Sequence, residues 1–569
     1  MPRIRIIEIE HFRGIKHMRW FPRAGLNCLI GPGDSCKSTV LEAIALCIGQ
    51  RRASPLTDSD FFNLEVSQPI RITITLGELP ESLLDIEAYG LYLHGFIIGA
   101  NELVEEPVDG SEPVLTIRVK VEQDLQPEWE LVSERANIAG ASRDFAWKDR
   151  AIVQVSKLSG IGSQHFTWGR GSILNRVSEE RPDAAGVIAQ LLRDVRSTFG
   201  DSAQRHLEET VRVVNETARE LGINGGADTS VLLDTSSIST SGGGVSLHDS
   251  AGVPLSGLGS GSSRLLIAGL QRHAARNSTV VLADEIEYGL EPHRIIRLLT
   301  SLGSKEPIPP LQVFLATHSP IVICELSVSQ LWVLRRLADR LDCMAVSEVD
   351  GIQGVVRAHP EAFLAASVLA CEGASEVGFI RGIDQYRTTS GHVSIAALGC
   401  VLVDCRGGDN VTQRANAIRR MSYRTAVLRD DDVLPDAGLE QSFLAAGGEV
   451  FKWTHGRALE DELFNGLPEA EVNTLLNLAV GKMGEPLIDS HIRSASNNTI
   501  TLNHCREQLT GPVRCVLGIA ARSRNNKWFK TFSDMEVIGR DIVGPAMTSM
   551  DPAFRSVIDG VFQWIETGV

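Results

Sequence analysis

An α/β multidomain fold is predicted for this 569-residue chain, and three observations predict it. The apolar run LNCLI passes through a Gly-rich turn into an amphipathic helical pattern. Two later aliphatic runs, in STVVLADE and LQVFLATHSP, end in polar residues, as buried strands do when they present a carboxyl edge to a site. Two more, in SVLACEG and RTAVLRDDD, end in carboxylates. Strands of this kind interleaved with helical patterns imply sheets covered by helices, and the length implies two to four domains.

Composition bounds the function. Hydrophobic residues make up 43% and charged residues 22%, which is ordinary for a globular protein and argues against disorder or a fibrous class. A net charge of −16 draws no nucleic acid by its bulk field, so DNA contact requires local basic patches. The ten cysteines show no CxxC pair and no zinc spacing, and the predicted state is buried free thiols in a reducing compartment. The opening MPRIRIIEIEHFRGI reads as a strand rather than a signal peptide, and no segment approaches membrane-spanning length. The expectation is a cytoplasmic protein without a membrane.

The first site element is the turn GPGDSCKST, which fits GxxxxGK[ST] from Gly31 to Lys37 and Ser38. Small residues here let backbone N–H groups of Gly31, Gly33 and Ser35 converge on phosphates. The helix start adds partial positive charge, Lys37 reaches the β and γ phosphates, and Ser38, followed by Thr39, supplies a hydroxyl for Mg²⁺. Cys36 stands where the pattern has its second glycine, placing a Cβ where the backbone is tight. Downstream, Asp284 is the expected Mg²⁺ partner and Glu285 the residue that polarises water. His318 follows the next buried strand. With the preceding segment PLSGLGSGSSRLLIAGL, where Ser256, Ser260 and Gly261 are signature candidates, this order of motifs resembles the ABC-type ATPases of the RecF and SMC group. The resemblance implies ATP as cofactor, His318 as a γ-phosphate sensor and at least a homodimer; no Q-loop glutamine is evident.

Between these motifs, IRITITLG and VLTIRVKVEQ read as strands of a mixed sheet. Residues 184–222 carry helical spacing at Val187, Leu191, Val195 and Phe199, then Leu207, Val211 and Val214. They form either a dimerisation arm or a helical subdomain with no partner. The Gly/Ser-rich stretch 224–263 is read as ordered strands leading into the signature. The predicted division is thus 1–150 and 224–345 for the ATPase domain, 151–223 for the helical insertion, 346–361 for a connection and 362–569 for the C-terminal domain.

In that C-terminal domain a strand ends at Glu372 and a helix opens at Glu376, so both glutamates can face one sheet edge. The next acidic strand ends in Asp430, Asp431 and Asp432. Adjacent like charges repel, and a hard divalent cation, Mg²⁺ or Mn²⁺, relieves that repulsion through oxygen ligands. A strand-Glu followed by a strand-Asp-x-Asp resembles the Toprim domain, with Glu372, Asp430 and Asp432 at its acidic positions. ABC-type ATPase followed by Toprim resembles the OLD (overcoming lysogenization defect) nuclease family, which includes the Gabija anti-phage nuclease subunit.

The resemblance implies an ATP-regulated, two-metal DNA endonuclease, acting in phage defence or DNA repair beside a helicase or other defence partner. It implies a third acidic motif, for which Glu460 is chosen over Asp461 and Glu462, so that Glu372, Glu376, Asp430, Asp432 and Glu460 are the metal candidates. It also implies a catalytic lysine, Lys527 or Lys530, with Lys527 preferred. Arg522, Arg524 and Lys530 form the predicted DNA patch, with Trp528 and Phe529 able to stack on an unstacked base. Arg414, Arg419, Arg420 and Arg424 form a second patch. A non-cutting ATPase, mediator or scaffold in a defence complex is the rival expectation.

Overall fold

The computed structural model describes residues 2–49, 55–150, 152–153, 155–158, 212, 250, 255–273, 280–337, 339–348, 352–433, 435–454, 456–523 and 525–568. Residues 159–211 and 213–223 of the predicted helical insertion, the Gly/Ser-rich stretch up to residue 249 and Arg524 lie outside them, while residues 155–157, assigned to that insertion, form a strand of the ATPase sheet instead.

Three sheets organise the described residues. The first is antiparallel and seven-stranded. It comprises β1 (Arg3–Phe12), β2 (Ile15–Trp20), β4 (Ile70–Gly77), β5 (Leu93–Ile97), β6 (Glu102–Val104), β7 (Glu112–Val121) and β8 (Pro127–Leu131). Its order is β2-β1-β4-β7-β5-β6, with β8 also paired to β7. The predicted strands IRITITLG and VLTIRVKV are therefore its centre.

The second sheet runs β13-β12-β3-β11-β10-β9. Its strands are β3 (Leu26–Ile30), β9 (Val155–Lys157), β10 (Val280–Ala283), β11 (Gln312–Ala316), β12 (Leu331–Arg336) and β13 (Leu341–Ala345). All neighbours are parallel except β12 and β13. Every residue of β3, β10 and β11 is buried, because both faces are covered. Helix α1 (Lys37–Ile48) fills the space between the first two sheets: Val40, Leu41, Ile44 and Ile48 share one core with Ile7, Ile72 and Ile117 on one side and Leu29, Leu282 and Phe314 on the other. On the opposite face of the second sheet lie α2 (Ser260–His273) and α3 (Pro292–Ser301).

The third sheet is parallel throughout, in the order β15-β14-β16-β17. The strands are β14 (Ser367–Cys371), β15 (Cys400–Asp404), β16 (Arg424–Arg429) and β17 (Glu449–Lys452). Helix α5 (Ala374–Thr389) leads from β14 to β15, and α6 (Gly408–Arg420) crosses back to β16. The chain leaves β14 and β16 in opposite directions, so a topological switch point opens between their carboxyl ends. Helices α7 (Leu459–Gly466), α8 (Gly511–Arg522), α9 (Phe532–Val537) and α10 (Pro552–Glu566) cover this half.

The segment predicted as a connection is packed. Helix α4 (Ile352–Ala358) buries Ile352, Val355 and Val356, and Phe363 follows it fully buried. These side chains belong to one continuous core that includes Val281 and Val313 of the second sheet and Val368 and Val427 of the third. Arg335 of β12 also lies over the Tyr423 ring, 3.5 Å from its centroid, while the Tyr423 hydroxyl donates to the Phe363 carbonyl at 2.7 Å.

Candidate functional site

Two sets of polar residues stand at strand ends. In the first, the turn after β3 holds Gly31 at φ 144°, and a Cβ there would press on the Leu334 carbonyl. Asp34 and Cys36 are left-handed, at φ 56° and 63°. Cys36, as the N-cap of α1, thus occupies the backbone region that glycine enters without strain. Lys37 is buried, and its Nζ donates to the carbonyls of Gly31 (3.1 Å) and Pro32 (2.8 Å) and to Ser35 Oγ (3.1 Å). Burial pushes the Lys37 ammonium down to about 8, and Asp284 at the end of β10 opposes that shift. Gly33, Ser38, Asp284, Glu285 and His318 are exposed on this side, with Thr39 half-buried. The sheet order β3-β11-β10 brings the three turns together.

Two residues of this set escaped the sequence reading. Glu287, two positions beyond Glu285, accepts a hydrogen bond from the Thr317 hydroxyl and another from the His318 N–H, both at 2.7 Å. Arg264 of α2 donates to the carbonyls of Glu285, Ile286 and Tyr288 at 3.2, 3.3 and 2.9 Å. The doubled glutamate in DEIE was the one available signal; nothing marks Arg264 in sequence. Gly261 is buried against its own chain, where a Cβ would meet Arg294, Leu290 and the Gly289 carbonyl. Ser260 opens α2, and Ser256 lies in the short turn before it.

The second set gathers at the switch point. Glu372 follows β14 and accepts from the Asp430 N–H at 3.0 Å, so the two acidic strand ends are tied directly. Asp430 Oδ1 accepts from the Leu459 N–H at the start of α7 (3.1 Å), which draws Glu460 in. Glu376, 3% exposed, accepts from the Gly373 N–H at 2.8 Å in the first turn of α5. Burial pushes the Asp430 carboxyl well above the carboxylate range, helped by Glu376, Glu372, Glu460 and Asp432. Burial and Glu460 do the same to Glu376. Glu372 and Glu460 are raised too, again chiefly by burial.

The neighbouring acids are spoken for elsewhere. Burial raises Asp431, but Lys452, the Gly456 N–H and Arg429 together outweigh it and hold that carboxyl below its usual value, turned toward Lys452 at 3.1 Å. Asp461 caps its own helix through the Ala458 N–H and pairs with Arg522 at 3.2 Å. Glu462 accepts from the Thr454 N–H and pairs with Arg457. That leaves Glu460 as the member of EDE that faces the other carboxylates.

The basic residues depart from expectation. Lys530 reaches the cluster, 3.8 Å from Glu460, whereas Lys527 sits exposed in a left-handed turn at φ 48° and pairs with none of these acids. Trp528 and Phe529 are 0% exposed, packed on Phe464, so neither can stack on a base. Arg522 stands between Asp432 (3.6 Å) and Asp461. In the second predicted patch, Arg414 donates to His359, Arg419 to the Ala446 and Tyr423 carbonyls, and Arg424 to Thr567; Arg420 is exposed. Three of those four arginines thus serve the fold.

Lys530 is placed by a feature also overlooked. In α5, Gly378 and Gly382 let the backbone of α9 approach so closely that a Cβ on either would collide with the carbonyl oxygen of Phe532 or Glu536. The spacing G-x-x-x-G in GFIRG was the legible sign.

The oxygen-only donor set and the raised carboxyls suit a hard divalent cation. Among the described residues, however, no group of three or more His, Cys, Asp or Glu side chains is arranged to hold a metal ion. Each of Glu372, Glu376 and Asp430 spends an oxygen on a backbone N–H. Among the described residues, no helix is long and apolar enough to cross a membrane.

Residues 26–324 match the family described as "AAA domain, putative AbiEii toxin, Type IV TA system". No curated protein matches the chain. Similar solved structures include an SMC head bound to the C-winged helix domain of ScpA, with 14% identity over 61% of this chain and 98% of that one, at a TM-score of 0.33. The SMC head domain from Thermotoga maritima has 13% identity over 60% and 98%, at 0.29. The recombination mediator RecF in its ATPrS structure has 12% identity over 60% of this chain and 98% of that one, at 0.30.

Proposed function

The chain belongs to that AAA-domain family, and from this premise we propose that its N-terminal half binds and hydrolyses ATP to regulate a DNA-cleaving site in its C-terminal half. The nucleotide is held by the turn 31–37, Lys37 and Ser38, with Asp284 toward Mg²⁺ and Glu285 and His318 toward the γ-phosphate. The C-terminal half is read as a Toprim-like, OLD-type endonuclease that works in a homodimer on DNA in phage defence or repair, in the cytoplasm and beside a partner such as a helicase.

One observation carries the nuclease reading: Glu372, Glu376, Asp430 and Glu460 come from β14, α5, β16 and α7 to one switch point, with Lys530 beside them. Glu372, Asp430 and Asp432 would hold one Mg²⁺ or Mn²⁺, and Glu376 and Glu460 would serve a second. Bound there, such ions supply a nucleophilic water and neutralise charge on phosphate. The residues must first turn from their backbone donors toward the ion. Lys530 then offsets charge on the attacked phosphate, and Arg522 can leave Asp432 for the DNA backbone.

The test is cleavage of plasmid and linear DNA with Mg²⁺ or Mn²⁺, with and without ATP. Asp430→Ala should abolish cutting, while Lys37→Ala should keep the nuclease and lose its response to ATP. A wild type that never cuts points to the second reading, a non-cutting ATPase that binds DNA or a partner. The observation favouring that reading is that Arg522 already occupies Asp432 and Asp461.

A further inference from the structure

We propose that Glu287 is a positioning residue for ATP hydrolysis: its carboxylate locks Thr317 and His318 to the acidic turn, so that Glu285 and His318 are presented to the γ-phosphate as one unit. The inference rests on the ATPase reading of the N-terminal half.

Strands β10 and β11 are parallel neighbours with Ala283 opposite Leu315, so the turn that follows each emerges beside the other. Beyond the strand pairing, one long backbone hydrogen bond, from the Ile286 N–H to the Ala316 carbonyl at 3.4 Å, joins the acidic turn to the end of β11. Glu287 bridges them with both oxygens, one on the Thr317 hydroxyl and one on the His318 N–H, each at 2.7 Å. Hydrogen bonds to a carboxylate are shorter and stronger than neutral ones. Thr317 is fully buried and its Oγ also accepts from the Ser319 N–H, so the clamp extends into the next helix start.

The turn itself is pinned from its other side. Arg264, 7% exposed, donates to three of its carbonyls, including that of Glu285, which sits at φ 44°. A left-handed Glu needs such support, because the conformation is unfavourable for any residue with a Cβ. Both Glu287 oxygens are already engaged, which suits holding rather than proton transfer.

The measurement is steady-state ATP turnover and binding of a non-hydrolysable ATP analogue by full-length wild type, Glu287→Ala, Glu287→Gln and Thr317→Val. Glu287→Ala should lower kcat about 10- to 100-fold with analogue Kd within about threefold, as expected when a reacting group is misplaced. Glu287→Gln should recover most of the rate, since its amide can accept from His318 and donate to Thr317. Thr317→Val should lose a smaller part, and the double variant should be no slower than Glu287→Ala.

Wild-type turnover by Glu287→Ala would overturn the proposal, as would Glu287→Gln as slow as Glu287→Ala beside a wild-type Thr317→Val, which marks a chemical role. Loss of analogue binding in step with kcat overturns it as well. If Glu287→Ala does not fold, Thr317→Val decides through the same split of kcat from Kd. Absence of turnover in wild type overturns the ATPase reading itself.

Discussion

Lys37 carries the sharpest pH dependence at the residue scale. Burial lowers its pKa to about 8, and phosphate must restore the charge, so nucleotide binding takes up a proton above that pH. Titration calorimetry should find ATP affinity flat below about pH 8 and falling by about tenfold per unit above it. Cys36 lies beside it in a left-handed conformation that costs a non-glycine residue roughly 1–2 kcal/mol. Cys36→Gly should therefore bind ATP at least as tightly as wild type in the same titration.

The carboxylates at the switch point have the opposite sign to a salt-bridged acid. Their folded pKa values are raised, so the stability they contribute is full below the unfolded carboxylate value and is lost as pH rises through the folded one. On the proposed reading, a divalent cation bound there would remove that loss. The gain in Tm on adding Mn²⁺ should be larger at pH 8 than at pH 6 and should shrink in Asp430→Asn. Between the two lysines, Lys530→Ala should slow DNA cleavage by about 100-fold while Lys527→Ala leaves it near wild type, following the cost of removing one charge-stabilising donor.

At the scale of elements, the close crossing of α5 and α9 is the joint that sets Lys530 against Glu460. Gly378→Ala would drive a methyl into the Phe532 carbonyl, and overpacking of this kind costs about 1–3 kcal/mol. Chemical denaturation should show that loss, and cleavage should fall further than stability alone explains. The buried parallel strands were legible because their centres are short apolar runs closed by a turn residue or an acid, as in VVLA and AVL, and the antiparallel ones because polar and apolar residues alternate, as in IRITITLG. The crossing was less legible, since G-x-x-x-G in a helix states that something approaches without stating what. Likewise Trp528 and Phe529 read as a base-stacking pair because sequence shows residue type and neighbourhood, while burial depends on α7 and its Phe464.

For the whole molecule, the ATPase sheet and the acidic sheet are parts of one packed body. Phe363, Val355 and Val356 sit in a core continuous from Val313 to Val427, and the Arg335–Tyr423 stack ties β12 to the entry of β16. Phe363→Ala should cost about 3–5 kcal/mol and shift a single unfolding transition reported alike by probes in either half. Two transitions that move separately would show that the halves fold independently. That shared core is the contact through which the proposed ATP control would reach the acidic sheet.

Sequence by itself determined the α/β class, the glycine-rich turn at Gly31–Ser38 and the acidic strand ends at Asp284, Glu372 and Asp430, because these depend on local apolar runs and the residue that closes them, whereas Glu460 was chosen on the family resemblance. Tertiary structure alone decided that Lys530 rather than Lys527 meets the carboxylates, that Arg264 and Glu287 bind the nucleotide-side turns together, and that residues 352–363 are core rather than tether. Those outcomes turn on which strands become neighbours and how closely helices cross, and pairing between distant segments leaves no mark on either segment read alone.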